Sequence, residues 1–269
     1  MIELQKKSKS RMTQNVYIIE GEKLFIDAPH SSVQEVYLTA GFLQHASTVV
    51  NLSHKLSMQQ YEVVSDDVFR RMSDTMTPQG ILCVVKREIV PLEIILEGVK
   101  GEQAWKKGNQ FQSESSAPLW LLLEDINDPG NLGTIIRTAE AIGIDAIILS
   151  ANCVDVYNPK TVRAAMGSIF RTRISTTTSI TSVIDILREN EVTVYAAKPS
   201  GVTPCYDCDF WAATAFLIGS ESHGLREDSC RNTIDTVIPM KGEADSINVA
   251  VASSILLYEA ARQRGGNKR

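Results

Sequence analysis

Apolar residues in the second half of the chain form short continuous runs, separated by stretches in which they recur at helical spacing. The runs that predict strands are LWLLLE, DAIILS, VTVYAA, TAFLIGS and DTVIPM. The stretches that predict helices are NLGTIIRTAEAIG, NPKTVRAAMGSIF, SVIDILREN and INVAVASSILLYEAARQR. This alternation predicts an α/β domain with a mostly parallel sheet covered on both faces. Ligands of such sheets bind at the carboxyl ends of the strands, so the loops there are the candidates for chemistry.

The first part of the chain alternates shorter pieces of both kinds. Strands are predicted at NVYIIEG, VQEVYLT, TVVNLS, YEVVS and GILCVVKRE, and short helices at EKLFIDAP and DDVFRRMSD. This pattern predicts a small α/β domain, and it contains no acid–base or nucleophile constellation. A polar stretch with Gly and Ser follows and predicts a linker. The predicted domains are therefore residues 1–100, a linker at 101–118 and a parallel-sheet domain at 119–269.

Composition restricts the class of protein. A hydrophobic share of 43%, with 16 Gly and 9 Pro, is typical of a globular protein. No apolar run approaches the length of a membrane span, and the first residues, MIELQKKSKSRM, lack the hydrophobic core of a secretory signal. We therefore expect a cytoplasmic protein with no membrane partner.

The cysteines do not predict a disulfide framework, because their number, 5, is odd. Cys205 and Cys208 form a C-x-x-C pair. A zinc site would need two further ligands, and only Cys230 and His223 lie nearby in the sequence. A redox pair would need a strand-to-helix turn, whereas TPCYDCDFW is typical of a loop. Two thiols in a loop is the interpretation that we favour.

A net charge of −5 does not by itself indicate a nucleic-acid-binding protein. Basic residues nevertheless cluster at both ends of the chain. The clusters are Lys6, Lys7, Lys9 and Arg11 at the start and Arg262, Arg264, Lys268 and Arg269 at the end. Short basic ends are most often solvated, but they can also contact a phosphate backbone. Charge alone leaves both interpretations open.

The loop and helix NDPGNLGTIIRTAEAIG resemble a phosphate-binding turn but match neither G-x-G-x-x-G nor the GK[ST] phosphate loop. The predicted buried stripe of the helix is Leu132, Ile135, Ile136, Ala139 and Ile142. Arg137 lies off that stripe, where it can bind an anion or pair on the surface with Glu140 or a neighbouring acid. Spacing alone favours the surface pair.

Two later loops also follow predicted strands. In FLIGSESHGLRED, a strand that ends at Gly219 lets a ligand approach the backbone closely. Glu221 can be an acid–base group or a structural acceptor, and His223 would suit proton transfer. In VIPMKGEADSINVAVASSILLYEAAR, Asp245 or Ser246 is the predicted N-cap of the last helix. That helix is apolar nearly all round, which predicts burial, including burial between subunits.

Together these loops resemble a known family. The patterns N-x-G-x-x-x-R-T-A-x-x-x-G, I-G-S-E-x-x-G-L and I-P-M-x-G-x(3)-S-I-N-V-A-x-A are similar, in order and spacing, to the three signature motifs of the SpoU/TrmH family. Its members are RNA 2′-O-ribose methyltransferases of the SPOUT superfamily. The resemblance covers Leu119–Arg264. KSRMTQNVYIIEGEKLFIDA is similar, more loosely, to the RNA-binding N-terminal domain of the rRNA-directed branch.

The resemblance implies a fold, a cofactor and an assembly. The catalytic domain is expected to be a parallel sheet whose C-terminal segment threads a deep trefoil knot. The cofactor is expected to be S-adenosylmethionine, and homodimers with the active site at the interface are expected. No metal is implied, because the sulfonium methyl is already activated. The positions that match the family's cofactor-binding residues are Leu217, Ile218, Gly219, Ile238, Met240, Ile247 and Asn248.

The resemblance also implies roles for polar residues. Arg137 matches the arginine that binds the target phosphate and helps to activate the ribose 2′-hydroxyl, and Asn131 matches the asparagine that orients it. Glu221, Ser246 and Asn248 match the remaining polar positions of the catalytic site. The RNA contacts are expected to include Lys9, Arg11, Arg137 and Arg163. The sequence departs from the family pattern at Ala165, where serine is usual, and at Ile247, where leucine is commoner.

The function that follows is ribose 2′-O-methylation, with 23S rRNA as the expected substrate because the N-terminal domain favours rRNA. The alternatives are a tRNA methyltransferase and an rRNA methyltransferase that confers antibiotic resistance. A non-catalytic RNA-binding factor of ribosome assembly is an alternative of another class, but it would not need all the polar site positions. A small-molecule methyltransferase is disfavoured, since it would leave the N-terminal domain without a role.

Overall fold

The β-branched and aromatic runs of the N-terminal residues form a four-stranded sheet in the computed structural model, which describes residues 1–97 and 117–265. Its strands are β1 (Val16–Glu20), β2 (Val33–Thr39), β3 (Glu62–Val64) and β4 (Ile81–Lys86), in the order β1-β4-β2-β3. Strand β4 is antiparallel to both neighbours, and β3 is parallel to β2. Most of the predicted linker, with Lys268 and Arg269, lies outside the described residues.

Short helices connect these strands and follow the last one. They are α1 (Ile2–Lys6), α2 (Ser8–Gln14), α3 (Glu22–Asp27), α4 (Ala40–Ala46), α5 (Val50–Ser57), α6 (Asp66–Met72) and α7 (Leu92–Glu97), with a 3-10 turn at His30–Ser32. The segment TVVNLS, predicted as a strand, lies largely in α5, so that prediction is wrong. Leu52 and Leu56 are buried at helical spacing while Val50 is 82% exposed. Burial of the two leucines therefore outweighs the β-propensity of the valines.

The C-terminal runs form a seven-stranded sheet in which every pairing is parallel, as predicted. The strands are β5 (Leu119–Leu123), β6 (Ala146–Ser150), β7 (Ile174–Thr177), β8 (Thr193–Ala197), β9 (Thr203–Pro204), β10 (Thr214–Ile218) and β11 (Ile234–Val237). Their order is β7-β6-β5-β10-β8-β11-β9. Every residue of β5, β6 and β10 is buried, which explains why these strands are continuous apolar runs.

Helices follow most of these strands. They are α8 (Pro129–Ile142), α9 (Pro159–Ala165), α10 (Ile180–Glu189) and α11 (Val249–Gly265), with 3-10 turns at Met166–Phe170 and Cys205–Asp207. Sequence reasoning missed β7, whose ISTT segment is short and half polar, and the two-residue β9. None of the helices in the described ranges is long and apolar enough to cross a membrane.

Contacts divide the chain into two compact units. Unit 1 comprises Met1–Glu88 and Asp155–Arg171, and unit 2 comprises Ile89–Val154 and Thr172–Arg269. The connection between β6 and β7, which contains α9, therefore belongs to unit 1. The predicted boundaries at residues 100 and 119 stay a prediction, and sequence reasoning did not foresee this discontinuity.

Specific contacts hold the Asp155–Arg171 segment in unit 1. The Arg11 guanidinium binds the Asp155 carboxylate at 2.7 Å, with both side chains nearly inaccessible to solvent. The rings of Tyr17 and Tyr157 lie 4.3 Å apart, and the Tyr157 hydroxyl donates to the Glu88 carbonyl at 2.9 Å. These contacts bury both aromatic rings and satisfy both charges, so the segment is an integral part of unit 1.

Candidate functional site

Three polar side chains from different loops of unit 2 meet near the carboxyl ends of the neighbouring strands β5 and β10. The Asn131 side-chain amide donates to Glu221 Oε1. Asn248 Nδ2 donates to Asn131 Oδ1 and to Glu221 Oε1, at 3.1 Å in each case. We call these three residues the amide–carboxylate cluster. The cluster joins one residue from each of the three loops that the sequence singles out.

Helix ends position two members of the cluster. Asn131 lies in the first turn of α8, whose N-cap, Asp128, accepts the Asn131 N–H at 2.8 Å. Asn248 caps α11, because its Oδ1 accepts from the backbone N–H of Ala250 at 2.9 Å. The predicted cap at Asp245 or Ser246 is wrong, since α11 begins only at Val249.

The third member, Glu221, lies on a tight loop after β10. Ser220 and Gly224 form a bridge across the loop, and the Gly224 N–H donates to the Ser220 carbonyl at 2.9 Å. A Cβ atom at Gly219 would lie 2.3 Å from the Gly224 carbonyl oxygen. Glycine is therefore required at position 219 because the Gly224 backbone lies against it, whether or not a ligand also comes close.

A cavity of about 340 Å³ adjoins the cluster, at the low end of the range for small-molecule sites. Ile218, Gly219, Ile238, Met240 and Ile247, all predicted cofactor residues, line it, and so do Glu221 and Ser246 of the predicted catalytic set. Leu217 packs in the core and does not reach the cavity, and Asn248 lines a neighbouring groove instead. The predicted cofactor residues thus largely converge on one mostly apolar cavity.

Two charged residues of this cavity were not predicted to contact a ligand. Lys198 and Asp245 both line it. Lys198 Nζ is held by Asp235 at 2.8 Å. Burial lowers the pKa of this lysine, but the hydrogen bonds that it donates to Asp235 and Cys230 raise the pKa overall. Lys198 directly follows β8, so the strand-end rule would have identified it.

An open groove of about 800 Å³ lies on the other side of the cluster, along α8 and α11. Asn131 and Asn248 line it together with Val251, Ile255 and Tyr258 of α11. These three apolar side chains are 49%, 38% and 66% exposed. We call them the exposed face of α11. The prediction that this helix is buried on all sides therefore does not hold within one copy of the chain.

Arg137 does not join the cluster. It is exposed on α8, and within residues 1–97 and 117–265 it has no hydrogen-bond or ion-pair partner, neither Glu140 nor a cluster residue. An unpaired guanidinium on the helix that carries Asn131 is available to an external anion. The surface pair with Glu140, which spacing alone favoured, is absent.

The structure separates the predicted RNA contacts of unit 1. Lys9 is exposed on α2. Arg163 on α9 is half-buried and binds the Asp74 carboxylate at 3.1 Å. The structure does not support Arg11 as an RNA contact, because Arg11 is 2% exposed and its donors are occupied by Asp155 and by the Leu4 and Gln5 carbonyls.

The C-x-x-C pair is also placed by the structure. Cys205 and Cys208 are free, buried thiols at a 3-10 turn, and burial raises the pKa of both. Among the described residues, no cluster of His, Cys, Asp and Glu side chains suits a metal ion. The turn is thus consistent with the interpretation of two thiols in a loop.

The fold and the site define a class of protein: an α/β protein with a cavity at the carboxyl edge of a parallel sheet and a second compact unit. The model of the SpoU rRNA methylase family matches residues 118–258, and the model of an MRM3-like substrate binding domain matches residues 1–83. The chain therefore belongs to the SpoU rRNA methylase family. The predicted family, the α/β fold class with its parallel sheet and the class of enzyme are confirmed.

Named relatives agree with this assignment. The 23S rRNA (guanosine(2553)-2′-O)-methyltransferase RlmP of Bacillus subtilis is 31% identical, over 93% of this chain and 90% of the relative. The 23S rRNA (guanosine-2′-O-)-methyltransferase RlmB of Ralstonia nicotianae is 31% identical, over 72% and 74%. The AdoMet-bound rRNA methyltransferase of Sinorhizobium meliloti superimposes with a TM-score of 0.77 at 27% identity, covering 97% of this chain and 92% of that one. S-adenosylmethionine, the predicted cofactor, is the ligand of the Sinorhizobium enzyme.

Proposed function

We propose that this protein transfers a methyl group from S-adenosylmethionine to a ribose 2′-hydroxyl of 23S rRNA. The observation that carries the proposal is the cavity of about 340 Å³ that opens beside the amide–carboxylate cluster. Two relatives that match most of this chain are named as methyltransferases of 23S rRNA. The family match to a substrate-binding domain at residues 1–83 supports a macromolecular substrate.

The cavity residues fit the cofactor. Ile218, Ile238 and Ile247 supply apolar walls for an adenine ring, and Gly219 lets its backbone face the cavity. Lys198 and Asp245 carry the charges that complement a carboxylate and an ammonium group. The bound cofactor would supply an activated methyl group, so the protein has to position the acceptor.

The amide–carboxylate cluster has the chemistry for that task. Glu221 accepts from both asparagine amides, which fixes its carboxylate beside the cavity. A ribose 2′-hydroxyl can donate to such a carboxylate and accept from an amide N–H, which orients its oxygen. We place Ser246 at the cavity wall as a further hydrogen-bonding group. Arg137 is proposed to bind the phosphate of the target nucleotide, since its guanidinium has no partner in the part of the chain that the structure describes.

We further propose that the protein is a homodimer that pairs through the exposed face of α11. Val251, Ile255 and Tyr258 present apolar surface to solvent beside Asn131 and Asn248. A second copy on this face would cover that surface and complete the wall of the site. Light scattering should give a mass of about twice the 29.6 kDa of one chain, and a monomer at micromolar concentration would refute this arrangement.

The remaining features of the proposal follow the family resemblance. Lys9 and Arg163 are proposed to contact the RNA backbone from unit 1, which the exposure of Lys9 and the partial exposure of Arg163 support. The C-terminal segment is proposed to form a deep trefoil knot, and the protein is proposed to act in the cytoplasm. The structural likeness to the Sinorhizobium meliloti enzyme supports the fold on which the knot depends.

The substrate is tested by incubating the purified protein with labelled S-adenosylmethionine and separate rRNA and tRNA pools. Label in 23S rRNA is expected, and label only in tRNA would replace this proposal by the tRNA alternative. Mapping of 2′-O-methyl sites in rRNA from cells with and without the gene then locates the nucleotide. Absence of label from every RNA pool would favour the non-catalytic assembly factor.

Arg137→Ala tests the proposed catalytic site. Loss of a charged group that stabilises the reacting phosphate should lower kcat by about 10²–10³-fold. The Kd for S-adenosylmethionine should stay the same, because Arg137 does not line the cavity. Arg188→Ala is the matched control, since Arg188 is exposed on α10 and lies outside the site. Near-normal turnover of Arg137→Ala would remove this residue from its role.

A further inference from the structure

A second group of charged side chains lies at the carboxyl end of β5 and has no part in the site described above. Glu124 directly follows β5 and is 1% exposed. Its Oε1 accepts from the Ser229 hydroxyl at 2.5 Å, and its Oε2 accepts from the Arg226 backbone N–H at 2.9 Å. A buried carboxylate needs such donors, and both come from the loop after β10. Glu124 therefore ties that loop to β5.

Asp125 adds a second attachment. The Arg226 Nη2 contacts both Asp125 carboxylate oxygens, at 2.8 and 2.6 Å, and the Ser150 hydroxyl donates to Oδ1 at 2.8 Å. The backbone of Asp125 is left-handed, with φ 58°, a conformation that aspartate and asparagine tolerate better than most residues. Burial raises the pKa of Asp125, but hydrogen bonds from Arg226 and Ser150 outweigh it, and the pKa lies below its ordinary value. The ion pair is therefore charged at neutral pH.

The loop that these residues hold is the one that carries Glu221. Its first part is closed by the Ser220–Gly224 bridge, and Arg226 and Ser229 lie two and five residues after Gly224. Asn131, the partner of Glu221, lies in the first turn of the helix that follows Glu124 and Asp125 along the chain. The segment from β5 into α8 thus contacts the loop after β10 at two places. Asn131 binds Glu221, and Glu124 and Asp125 bind the later part of the loop.

We infer that Glu124, Asp125, Arg226 and Ser229 are positioning residues that hold the loop after β10, so that Glu221 meets Asn131 and Asn248. We call these four residues the β5 clamp. The inference rests on the proposed function, in which the amide–carboxylate cluster orients the ribose hydroxyl. No clamp residue lines the cavity, so the clamp acts through Glu221 and not through contact with the cofactor.

Two conservative variants test the clamp. Asp125→Asn keeps the size and the tolerance of a left-handed backbone but removes the charge, and Arg226→Lys keeps the charge but removes the guanidinium. Because a misplacement of about 1 Å at a reacting group can cost about 10²-fold, we expect kcat to fall at least about tenfold in Asp125→Asn. Arg226→Lys should retain more activity than Arg226→Ala. The KM for RNA and the Kd for S-adenosylmethionine should change less than about threefold.

The melting temperature separates positioning from simple stabilisation. Arg226 and Asp125 are 49% and 27% exposed, and exposed ion pairs add little stability, so Tm should stay within about 2 °C of the wild type. Arg188→Ala is again the matched arginine control, with unchanged kcat and Tm. Unchanged kcat in Asp125→Asn and Arg226→Ala, with or without a fall in Tm, would overturn the inference.

A second measurement does not depend on catalysis. In protein labelled with ¹⁵N-asparagine, the side-chain amide resonances of Asn131 and Asn248 report on their hydrogen bonds to Glu221. We expect both to shift in Asp125→Asn and neither to shift in Arg188→Ala. If wild-type protein methylates no RNA, the proposed function fails, but these resonances still decide the clamp. Unchanged resonances in Asp125→Asn would overturn it.

Discussion

Replacement of Arg11 distinguishes an RNA contact from a residue that holds unit 1 together. The Arg11 guanidinium binds Asp155 at 2.7 Å and donates to the Leu4 carbonyl at 2.6 Å. Arg11→Met leaves Asp155 with two donors, the Ser8 hydroxyl at 2.9 Å and the Tyr157 N–H at 3.1 Å. Removal of one member of a buried ion pair costs about 3–5 kcal/mol. Because two donors remain, we expect a loss of about 3 kcal/mol in the free energy of unfolding.

The assay is thermal unfolding together with RNA binding. At about 2–4 °C per kcal/mol for a chain of this size, Tm should fall by about 6–12 °C. Lys9→Ala, on the same helix but exposed, should leave Tm unchanged. Arg11→Met/Asp155→Leu removes both charges and should regain much of the loss. A Tm within about 2 °C of the wild type, with weaker RNA binding by the folded Arg11→Met protein, would refute the reasoning.

Two further predictions concern the loop after β10 and the response to alkaline pH. Gly219→Ala places a Cβ atom 2.3 Å from the Gly224 carbonyl oxygen. Because overpacking costs about 1–3 kcal/mol, S-adenosylmethionine binding measured by calorimetry should weaken by about 5–150-fold. Gly242→Ala, which meets no atom within 4 Å, is the control, and equal affinities would contradict this account. Burial raises the pKa of Tyr157 and Tyr195 to about 12, above the value of about 10 that tyrosine has in the unfolded chain. The stability that these neutral hydroxyls contribute is therefore present below pH 10 and is lost as the pH rises from 10 to 12. Urea midpoints should fall across that window and fall less in Tyr195→Phe; a flat profile would exclude this linkage.

The location of the candidate site was predictable from the sequence, because its residues follow the carboxyl ends of predicted strands. Asn131, Glu221 and Asn248 lie in the segments that follow strands β5, β10 and β11, and the apolar runs indicate all three strands. Parallel strands bring their carboxyl ends to one edge of the sheet, which is why residues up to 117 positions apart along the chain come into contact. The roles of these residues came only from the family resemblance and stay predictions.

Long-range partners were not predictable from local patterns. Arg11 lies in a basic cluster, and nothing near it in the sequence indicates that its partner, Asp155, is 144 residues away. The same holds for Asp125 and Arg226, which are 101 residues apart. A local pattern can also mislead about the type of element: the valines of TVVNLS predicted a strand, but the burial of Leu52 and Leu56 favours a helix. A periodic pattern reports which face is buried, but not which distant side chain covers it.

The discontinuity of unit 1 has a consequence for synthesis of the chain. Residues up to Glu88 emerge from the ribosome first, but Tyr157 and Asp155, which cover Tyr17 and neutralise Arg11, come later. From Glu88 to Arg171 is 171 − 88 = 83 residues. At about 5–20 residues per second, unit 1 waits roughly 4–17 seconds for its last segment. During that interval Arg11 lacks its ion-pair partner and the Tyr17 ring lacks its cover, so the incomplete unit exposes surface that the folded unit buries.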